Sequence, residues 1–250
     1  GNGYTFENYG RTELEGPNAD LNNLESFENT GADARLIVAT GSRVHADAMT
    51  NSGRITNGGT IRVSGASQLL DNLVDGKITN NGWIVADINS AVGATLITTN
   101  RIVGDVDNDG VAYLSGTITG ELDNSSADVT LTGDLNVGSL KNSASTAKIS
   151  VNANQTLAST GLVENSGILT VAGTLQGDTD NSGQLTVSGA LEGDVNNTGT
   201  LTSTGIITGD VINDGIASLR GQITDDLLNH TGNLTLTGDL QVGRLRNSGS

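Results

Sequence analysis

The sequence predicts an all-β chain folded as a single-stranded parallel β-helix (β-solenoid), with coils of about 16–23 residues. Three observations support this fold class: repeats of nearly constant length, alternation of apolar and polar residues inside each repeat, and glycines at fixed places. The chain of 250 residues contains 35 glycines, one proline and no cysteine. In a solenoid each repeat forms one coil around a narrow apolar interior, which accounts for all three observations.

The repeat length is the first of these observations. Asparagines open successive units sixteen residues apart, at Asn165, Asn181, Asn197, Asn213 and Asn229. The sequence also has a second, longer period. Residues 108–143 align without a gap on residues 213–248, so this period is 105 residues. The chain therefore contains a duplicated module made of several coils.

Three regions follow from the spacing of the repeats. Residues 1–30 hold four of the six aromatic residues and are an N-terminal cap or the first irregular coils. Residues 31–94 are a solenoid with longer coils. Residues 95–250 are a regular solenoid that contains the 105-residue duplicated module.

The unit NSGQLTVSGALEGDVN, residues 181–196, shows why these residues form strands. Its odd-numbered positions are apolar or glycine except Asn181, and its even-numbered positions are mostly polar. Such alternation marks a half-buried strand, whereas each glycine would weaken a helix. Glycines fall near the corners, where the chain turns with little room. The repeated asparagine is predicted to lie at a tight turn and to hydrogen-bond to its copy in the next coil as an internal ladder.

Interior positions of neighbouring units compensate one another in size. Leu201 is followed by Ser203 where other units have valine, and the next unit reverses the order with Ala217 and Leu219. Local exchange of volume is expected in a core that is one side chain wide.

The N-terminal third repeats less regularly. FENYG (6–10), FENTG (27–31) and MTNSG (49–53) recur at 21–22 residues, and ITNGG (55–59) and ITNNG (78–82) are 23 residues apart. All five are predicted to be the same kind of unit with longer loops.

The repeated pattern [ND]-x-G-x-L-x-V-x-G-x-[LI]-x-G-D resembles the passenger regions of bacterial autotransporters and the two-partner-secreted, haemagglutinin-like exoproteins. The resemblance covers nearly the whole chain and concerns the style of the repeat. It implies a right-handed parallel β-helix displayed on a bacterial cell surface, and it transfers no functional residue. Richness in Asn, Thr, Ser and Gly, together with the absence of cysteine, also favours an extracellular or cell-surface location.

Composition disfavours several classes of function. The formal net charge of −16, without any Lys/Arg cluster, disfavours nucleic acid as a partner. No apolar stretch approaches the roughly 20 residues of a transmembrane helix, so this segment is not expected to insert into a membrane. His45 and His230, the two histidines, have no neighbouring metal ligands in sequence, and no Ser-His-acid signature occurs. We therefore predict no enzyme and no cofactor, with a polysaccharide-acting β-helix enzyme as the less favoured alternative.

Acidic residues provide one candidate site. One repeat position is acidic in six units, and the segment DVDND (105–109) is a denser cluster. Because calcium prefers carboxylate oxygens, these acids are candidate calcium ligands. The alternative is that each Asp accepts a hydrogen bond from turn amides and stays solvated. The candidate metal-site residues are Asp105, Asp107, Asp109, Asp178, Asp194, Asp210 and Asp226, and Glu121 occupies the same repeat position.

Two sets of outward residues are candidates for contact with a ligand. Trp83 and Tyr113 lie on strand-like segments, and Tyr113 is predicted to point outward; each is either a contact point or a surface residue without a role. A polar face suits a carbohydrate or ice, but threonine also has high β propensity. This face consists of Thr170, Thr186, Thr202 and Ser218.

Two classes of function remain. The first is a structural segment of a secreted or cell-surface bacterial protein that acts as the rigid stalk of an adhesin. The second is a self-assembling subunit of an extracellular filament, sheath or surface layer. The expected partners are other copies of the chain, packed end to end or laterally, or glycans and proteins on the surface of a host or neighbouring cell.

Overall fold

The computed structural model describes residues 3–248, which form thirty β-strands and no helix. The strands stack in parallel in about 14 turns, which confirms the prediction of an all-β solenoid. The chain divides into two compact units, Gly1–Asp123 and Asn124–Ser250.

The first unit contains fifteen strands, of which the last ends one residue beyond the unit. They are β1 (Tyr4–Asn8), β2 (Arg11–Leu14), β3 (Asp20–Asn29), β4 (Arg35–Val38), β5 (Arg43–Asn51), β6 (Arg54–Asn57), β7 (Thr60–Val63), β8 (Leu69–Asn72), β9 (Lys77–Asn80), β10 (Trp83–Val85), β11 (Asp87–Ser90), β12 (Thr95–Thr98), β13 (Arg101–Val103), β14 (Val106–Asn108) and β15 (Val111–Asn124).

These strands form three parallel stacks, one on each side of the coil. Strands β2, β4, β6, β9 and β12 make the first stack, and β5, β7, β10 and β13 make the second. Strands β1, β3, β5, β8, β11 and β14 make the third. Each coil therefore uses its backbone N–H and C=O groups to pair with the coils before and after it.

The register in the first unit follows the repeats seen in the sequence. Phe6 pairs with Phe27, which pairs with Met49, so the FENYG, FENTG and MTNSG segments stack on one another. The rings of Phe6 and Phe27 lie parallel, with centroids 5.2 Å apart. Residues 4–29 thus belong to coils that pair in parallel with the coils that follow.

The prediction that all five N-terminal segments are the same kind of unit is wrong in one respect. ITNGG and ITNNG form a separate column, in which Asn57 pairs with Asn80 at the end of the first stack of strands. The column of Asn51 and Asn72 lies at a different corner, at the end of the third stack. Asn57 donates to Asn80 at 2.8 Å, and Asn80 donates to Thr98 at 3.1 Å. A motif of the form Asn-x-Gly fits either corner because both corners need the same tight turn, so the motif alone does not tell which corner it occupies.

The second unit contains the remaining strands, with β16–β19 in its first turns, sixteen-residue coils from Asn165 to Asn229, and a last coil of eighteen residues from Asn229 to Asn247. They are β16 (Asp128–Asn142), β17 (Lys148–Val151), β18 (Thr156–Ser159), β19 (Val163–Asn165), β20 (Ile168–Val171), β21 (Thr174–Gln176), β22 (Thr179–Asn181), β23 (Gln184–Val187), β24 (Ala190–Glu192), β25 (Val195–Asn197), β26 (Thr200–Ser203), β27 (Ile206–Thr208), β28 (Val211–Asn213), β29 (Ile216–Asn229) and β30 (Asn233–Asn247).

Three stacks again run through the second unit, for example β17, β20, β23, β26 and β29. Residues 181–196 show the predicted alternation, because their inward positions are buried or half-buried and nearly all the outward ones are exposed. The predicted exchange of volume is also present. Leu201 pairs with Ala217 and Ser203 pairs with Leu219, and all four side chains are buried.

An internal asparagine ladder runs along one corner of the second unit, as the sequence predicts. Each side-chain Nδ2 donates to the Oδ1 of the equivalent residue in the next coil at 2.6–3.0 Å, and the members from Asn142 to Asn229 are at most 1% exposed. The ladder consists of Asn124, Asn142, Asn165, Asn181, Asn197, Asn213, Asn229 and Asn247. The first unit has its own ladder, formed by Asn8, Asn29, Asn51 and Asn72.

Glycine is required where successive coils approach most closely. A Cβ atom at Gly183 would lie 2.2 Å from the carbonyl oxygen of Gly167 in the preceding coil. At Gly193 the Cβ would lie 2.5 Å from the oxygen of Gly177, and φ is +152°, a region that favours glycine. The Asn-x-Gly and Gly-Asp motifs are therefore consequences of coil stacking.

Candidate functional site

The predicted acidic candidates of the second unit form one continuous column on its surface. We call Asp178, Asp194, Asp210 and Asp226 the acidic column. Each member follows or lies near a corner, and the first three directly follow glycines with φ between +134° and +152°. Asp178, Asp194 and Asp210 are exposed, and Asp226 is half-buried. The sequence correctly brings these four residues together, one in each of four successive coils.

The carboxylates of the acidic column bind the backbone of the next coil. Asp178 Oδ1 accepts the N–H of Asp194 at 3.0 Å, and Asp194 Oδ1 accepts the N–H of Asp210 at 2.8 Å. Asp210 Oδ1 accepts the N–H of Asp226, also at 2.8 Å. These charge-assisted bonds satisfy corner amides that the strand ladder does not pair, and they offset the repulsion between like charges stacked at ~4.8 Å.

One oxygen of Asp178, Asp194 and Asp210 is used in this way, so the second oxygen of each is the atom that can meet a cation from solvent. At the end of the column, Oδ2 of Asp226 forms an ion pair with Nη2 of Arg244. The hydrogen bond and charge of Asp226 raise the pKa of Arg244 above its ordinary value. The chain thus supplies its own cation to the last member, whereas the three preceding members remain candidates for an external one.

The first unit repeats the same arrangement over three coils. Asp87 Oδ1 accepts the N–H of Asp105 at 2.9 Å, and Asp105 Oδ1 accepts the N–H of Glu121 at 2.8 Å. Asp87 was missed from the sequence because it follows Ala86, not a glycine, and lies 18 residues before Asp105 rather than sixteen. What these acids share is their partner, the backbone N–H at the corner of the next coil.

The denser segment 105–109 is divided among different positions. Asp105 lies at a corner, Asp107 points outward from β14 beside Asn89, and Asp109 lies in the following turn. Across residues 3–248, no three His, Asp or Glu side chains come together as a group that could hold a metal ion. Calcium binding by any of the predicted acids stays a prediction.

The two histidines occupy separate places. His45 Nε2 lies 2.5 Å from Ser64 Oγ in the first unit, and His230 Nδ1 lies 3.8 Å from Asp214 Oδ1 in the second. Residues 3–248 also contain no helix that could span a membrane.

The polar column predicted from four residues extends through seven coils of the second unit. The register places these residues directly above one another on the outer side of one stack of strands. They are Thr130, Ser150, Thr170, Thr186, Thr202, Ser218 and Thr235. Thr130, Ser150 and Thr235 were missed from the sequence because the steps that join them to the column are 20, 20 and 17 residues long rather than sixteen.

Comparison with protein-family models, with curated proteins and with solved structures finds no significant match. The properties that define this chain are therefore those of its own repeat: a parallel β-solenoid with an internal asparagine ladder and an acidic column at one corner of its coils.

Proposed function

We propose that this chain is the rigid stalk segment of a bacterial cell-surface adhesin, located outside the cell. The role is mechanical, because a stiff acidic solenoid holds a recognition element away from the surface that anchors it. It requires no catalysis, no cofactor and no membrane insertion of this segment.

The asparagine ladder is the observation that supports a stiff spacer. A buried amide in each coil of the second unit fixes the corner of the next coil at 2.6–3.0 Å, in addition to three parallel strand pairings. Bending or sliding one coil on another would break a bond that water cannot replace in the interior, and a buried polar group without a partner is costly. Stacked coils therefore resist bending at every step.

A distance measurement between two coils tests this stiffness. The chain has no cysteine, so cysteines at Thr130 and Thr235 can carry the only two spin labels. Six coil steps at ~4.8 Å each separate these backbone positions by about 29 Å. We expect one narrow distance distribution by electron paramagnetic resonance, and a broad one in denaturant. A broad distribution under native conditions would contradict the stalk role.

The location outside the cell needs its own test. We expect an antibody raised against the chain to label intact cells of the source organism, and external protease to remove the label. Labelling that appears only after the cells are permeabilised would contradict a surface role, whatever the stiffness of the chain.

Self-assembly by stacking of coils is the second candidate function. The observation that favours it is the equivalence of successive coils, because Leu219 lies in register with Leu236 and Leu227 lies in register with Leu245 of the next coil. A coil from a second copy can stack on such leucines in the same register. Light scattering over a range of protein concentrations tests the idea: growing mass, abolished by L236E/L245E, supports assembly, and a constant monomer mass contradicts it.

A further inference from the structure

We propose that the first unit binds a linear acidic polysaccharide, one that carries a carboxylate or sulfate on its sugars, across its first stack of strands and the adjoining corner. The site combines a column of cations with a shallow depression beside the single tryptophan. Glycan binding on this face does not depend on the stalk role and can fail without affecting it.

The cations lie in register in four successive coils. Arg11 pairs with Arg35, Arg35 with Arg54, and Arg54 with Lys77, each at the first position of its strand. We call these four residues the basic column. All four side chains are exposed and follow one another at ~4.8 Å.

The charge of the basic column is largely uncompensated. Arg11 forms an ion pair with Glu13, but Arg35, Arg54 and Lys77 form none with any residue of the described range 3–248. The chain has 28 acidic residues against 12 basic ones, so a column of unpaired cations is unexpected on its surface. Stacked cations of this kind repel one another, and an acid group of a sugar that binds between two of them relieves the repulsion.

The adjoining corner provides a surface on which a sugar ring can rest. A shallow depression of about 460 Å³ is lined by Thr40, Gly58, Gly59, Asn81, Trp83 and Asn100, among other residues. Trp83 is 49% exposed, and the guanidinium carbon of Arg101 lies 5.4 Å from the centroid of its ring. Glycines leave the floor free of side chains, while the amides and hydroxyls at the edge can donate and accept hydrogen bonds.

Hydroxyl groups connect the depression to the basic column. Thr56 and Thr79 point outward two residues after Arg54 and Lys77, on the same strands. Lys77 and Trp83 are six residues apart, which limits their separation to about 20 Å even for an extended chain. An oligosaccharide can therefore contact cations, hydroxyls and the indole at once.

These groups match a glycan better than a nucleic acid. The apolar face of a sugar packs on an indole, its hydroxyls bond to amides and hydroxyls, and its acid group pairs with a cation. Single-stranded nucleic acid would need aromatic side chains interleaved with the cations, and the outward neighbours of the basic column on these strands are Glu13, Ile37, Thr56 and Thr79.

Tryptophan fluorescence tests the proposal directly, because Trp83 is the only tryptophan. The full chain is titrated with oligogalacturonate, dextran sulfate and neutral dextran at low ionic strength. We expect at least one acidic glycan to change the fluorescence saturably and neutral dextran to leave it unchanged. No response to either acidic glycan, or an equal response to neutral dextran, overturns the proposal.

Variants separate specific binding from general charge. R54Q/K77Q is expected to weaken the affinity by about tenfold, because each cation forms charged hydrogen bonds. The control K148Q/R220Q changes the charge equally on exposed residues of the second unit and should stay within about twofold. Equal weakening by both pairs overturns the proposal.

A blocking variant tests the depression itself. A Cβ at Gly58 meets nothing closer than 3.5 Å, so G58L should fold with an unchanged melting temperature and fill the depression. We expect it to weaken glycan binding by about tenfold or more. Unchanged binding in folded G58L, or single-stranded DNA binding as tightly as the acidic glycans, overturns the proposal.

Discussion

Asn181 donates from its side-chain Nδ2 to the Oδ1 of Asn197 across 2.7 Å, and both side chains are only 1% exposed. The same Nδ2 also donates to the carbonyl of Thr200 at 3.0 Å. One amide therefore binds the side chain of the next coil and the strand that follows it. The ladder satisfies polar groups that the corner would otherwise bury without partners.

The first prediction concerns one member of the ladder. N197A removes the acceptor of Asn181 and the donor to Asn213, so it leaves the buried Asn213 Oδ1 without its 2.7 Å partner. We expect the free energy of unfolding to fall by about 3 kcal/mol. The midpoint of urea denaturation measures this loss.

The control for this prediction is the neighbouring residue. Asn196 is exposed and donates only to Asp180 at the surface, at 3.0 Å. N196A is therefore expected to change stability by less than about 0.5 kcal/mol. Equal effects of N196A and N197A would show that the ladder does not stabilise the coils.

The second prediction concerns the corner glycines. G193A places a Cβ 2.5 Å from the carbonyl oxygen of Gly177 and forces alanine to adopt φ of +152°. We expect a loss of about 2 kcal/mol or more, measured by thermal or urea unfolding. G10A is the matched control, because a Cβ at Gly10 meets nothing within 4 Å. If G10A destabilises the chain as much as G193A, close stacking is not the reason for the glycine.

The third prediction concerns Ser203, whose buried Oγ has no hydrogen-bond partner among the described residues. It stacks between Val187 and Leu219 in an apolar column. S203V removes an unsatisfied hydroxyl and adds apolar contact, so we expect stability to rise by about 1 kcal/mol. S188V, on the exposed side of the coil, should change stability by less than about 0.5 kcal/mol. A destabilised S203V, with S203A unchanged, would mean that the column has no room for the larger side chain.

The fourth prediction concerns calcium. The second carboxylate oxygens of Asp178, Asp194 and Asp210 are expected to bind calcium in the range of about 10⁻⁴–10⁻³ M, measured by calorimetry on the chelator-treated chain. D194N/D210N keeps an oxygen to accept the corner N–H groups but loses two charges, and should weaken binding by about threefold or more.

The control for the calcium experiment is D180N/D214N, which removes the same charge outside the acidic column. It should bind calcium like the unaltered chain. No measurable heat with the unaltered chain, or equal weakening by both pairs, would contradict calcium binding at the acidic column.

Most of the fold could be predicted from the sixteen-residue coils. Where the repeat length is constant, residues at equal positions must stack, so the burial of Leu185 and Val187 and the ladder through Asn181 follow from alternation alone. The pairing of Leu201 with Ala217 was predictable for the same reason, since two adjacent positions exchange volume between coils.

The first unit was less predictable because its coils differ in length at the corners. Arg11, Arg35, Arg54 and Lys77 are separated by 24, 19 and 23 residues, so no constant interval reveals them as one column. The second ladder through Asn57 was hidden in the same way. Sequence patterns give the composition of each strand, but three-dimensional register is needed to tell which strands lie above one another.

The role of the acidic residues could be predicted from the sequence only in part. Their repeat position was evident, but Asp178, Asp194 and Asp210 each bind a backbone N–H of the next coil, a group that every residue except proline carries. No side-chain pattern distinguishes that bond from a site left open for calcium. Only the geometry at Asp194 and Asp210 reveals it.

The equivalence of the coils in the second unit also bears on how such a chain changes over generations. Asn165 contacts Asn181 as Asn181 contacts Asn197, so loss of residues 181–196 would bring Asn165 onto Asn197 with the same bonds. Unequal recombination between gene segments that encode such similar coils can therefore add or delete one whole coil while the asparagine ladder stays continuous. The length of the protein can vary among descendants while each remaining asparagine keeps a partner in the next coil.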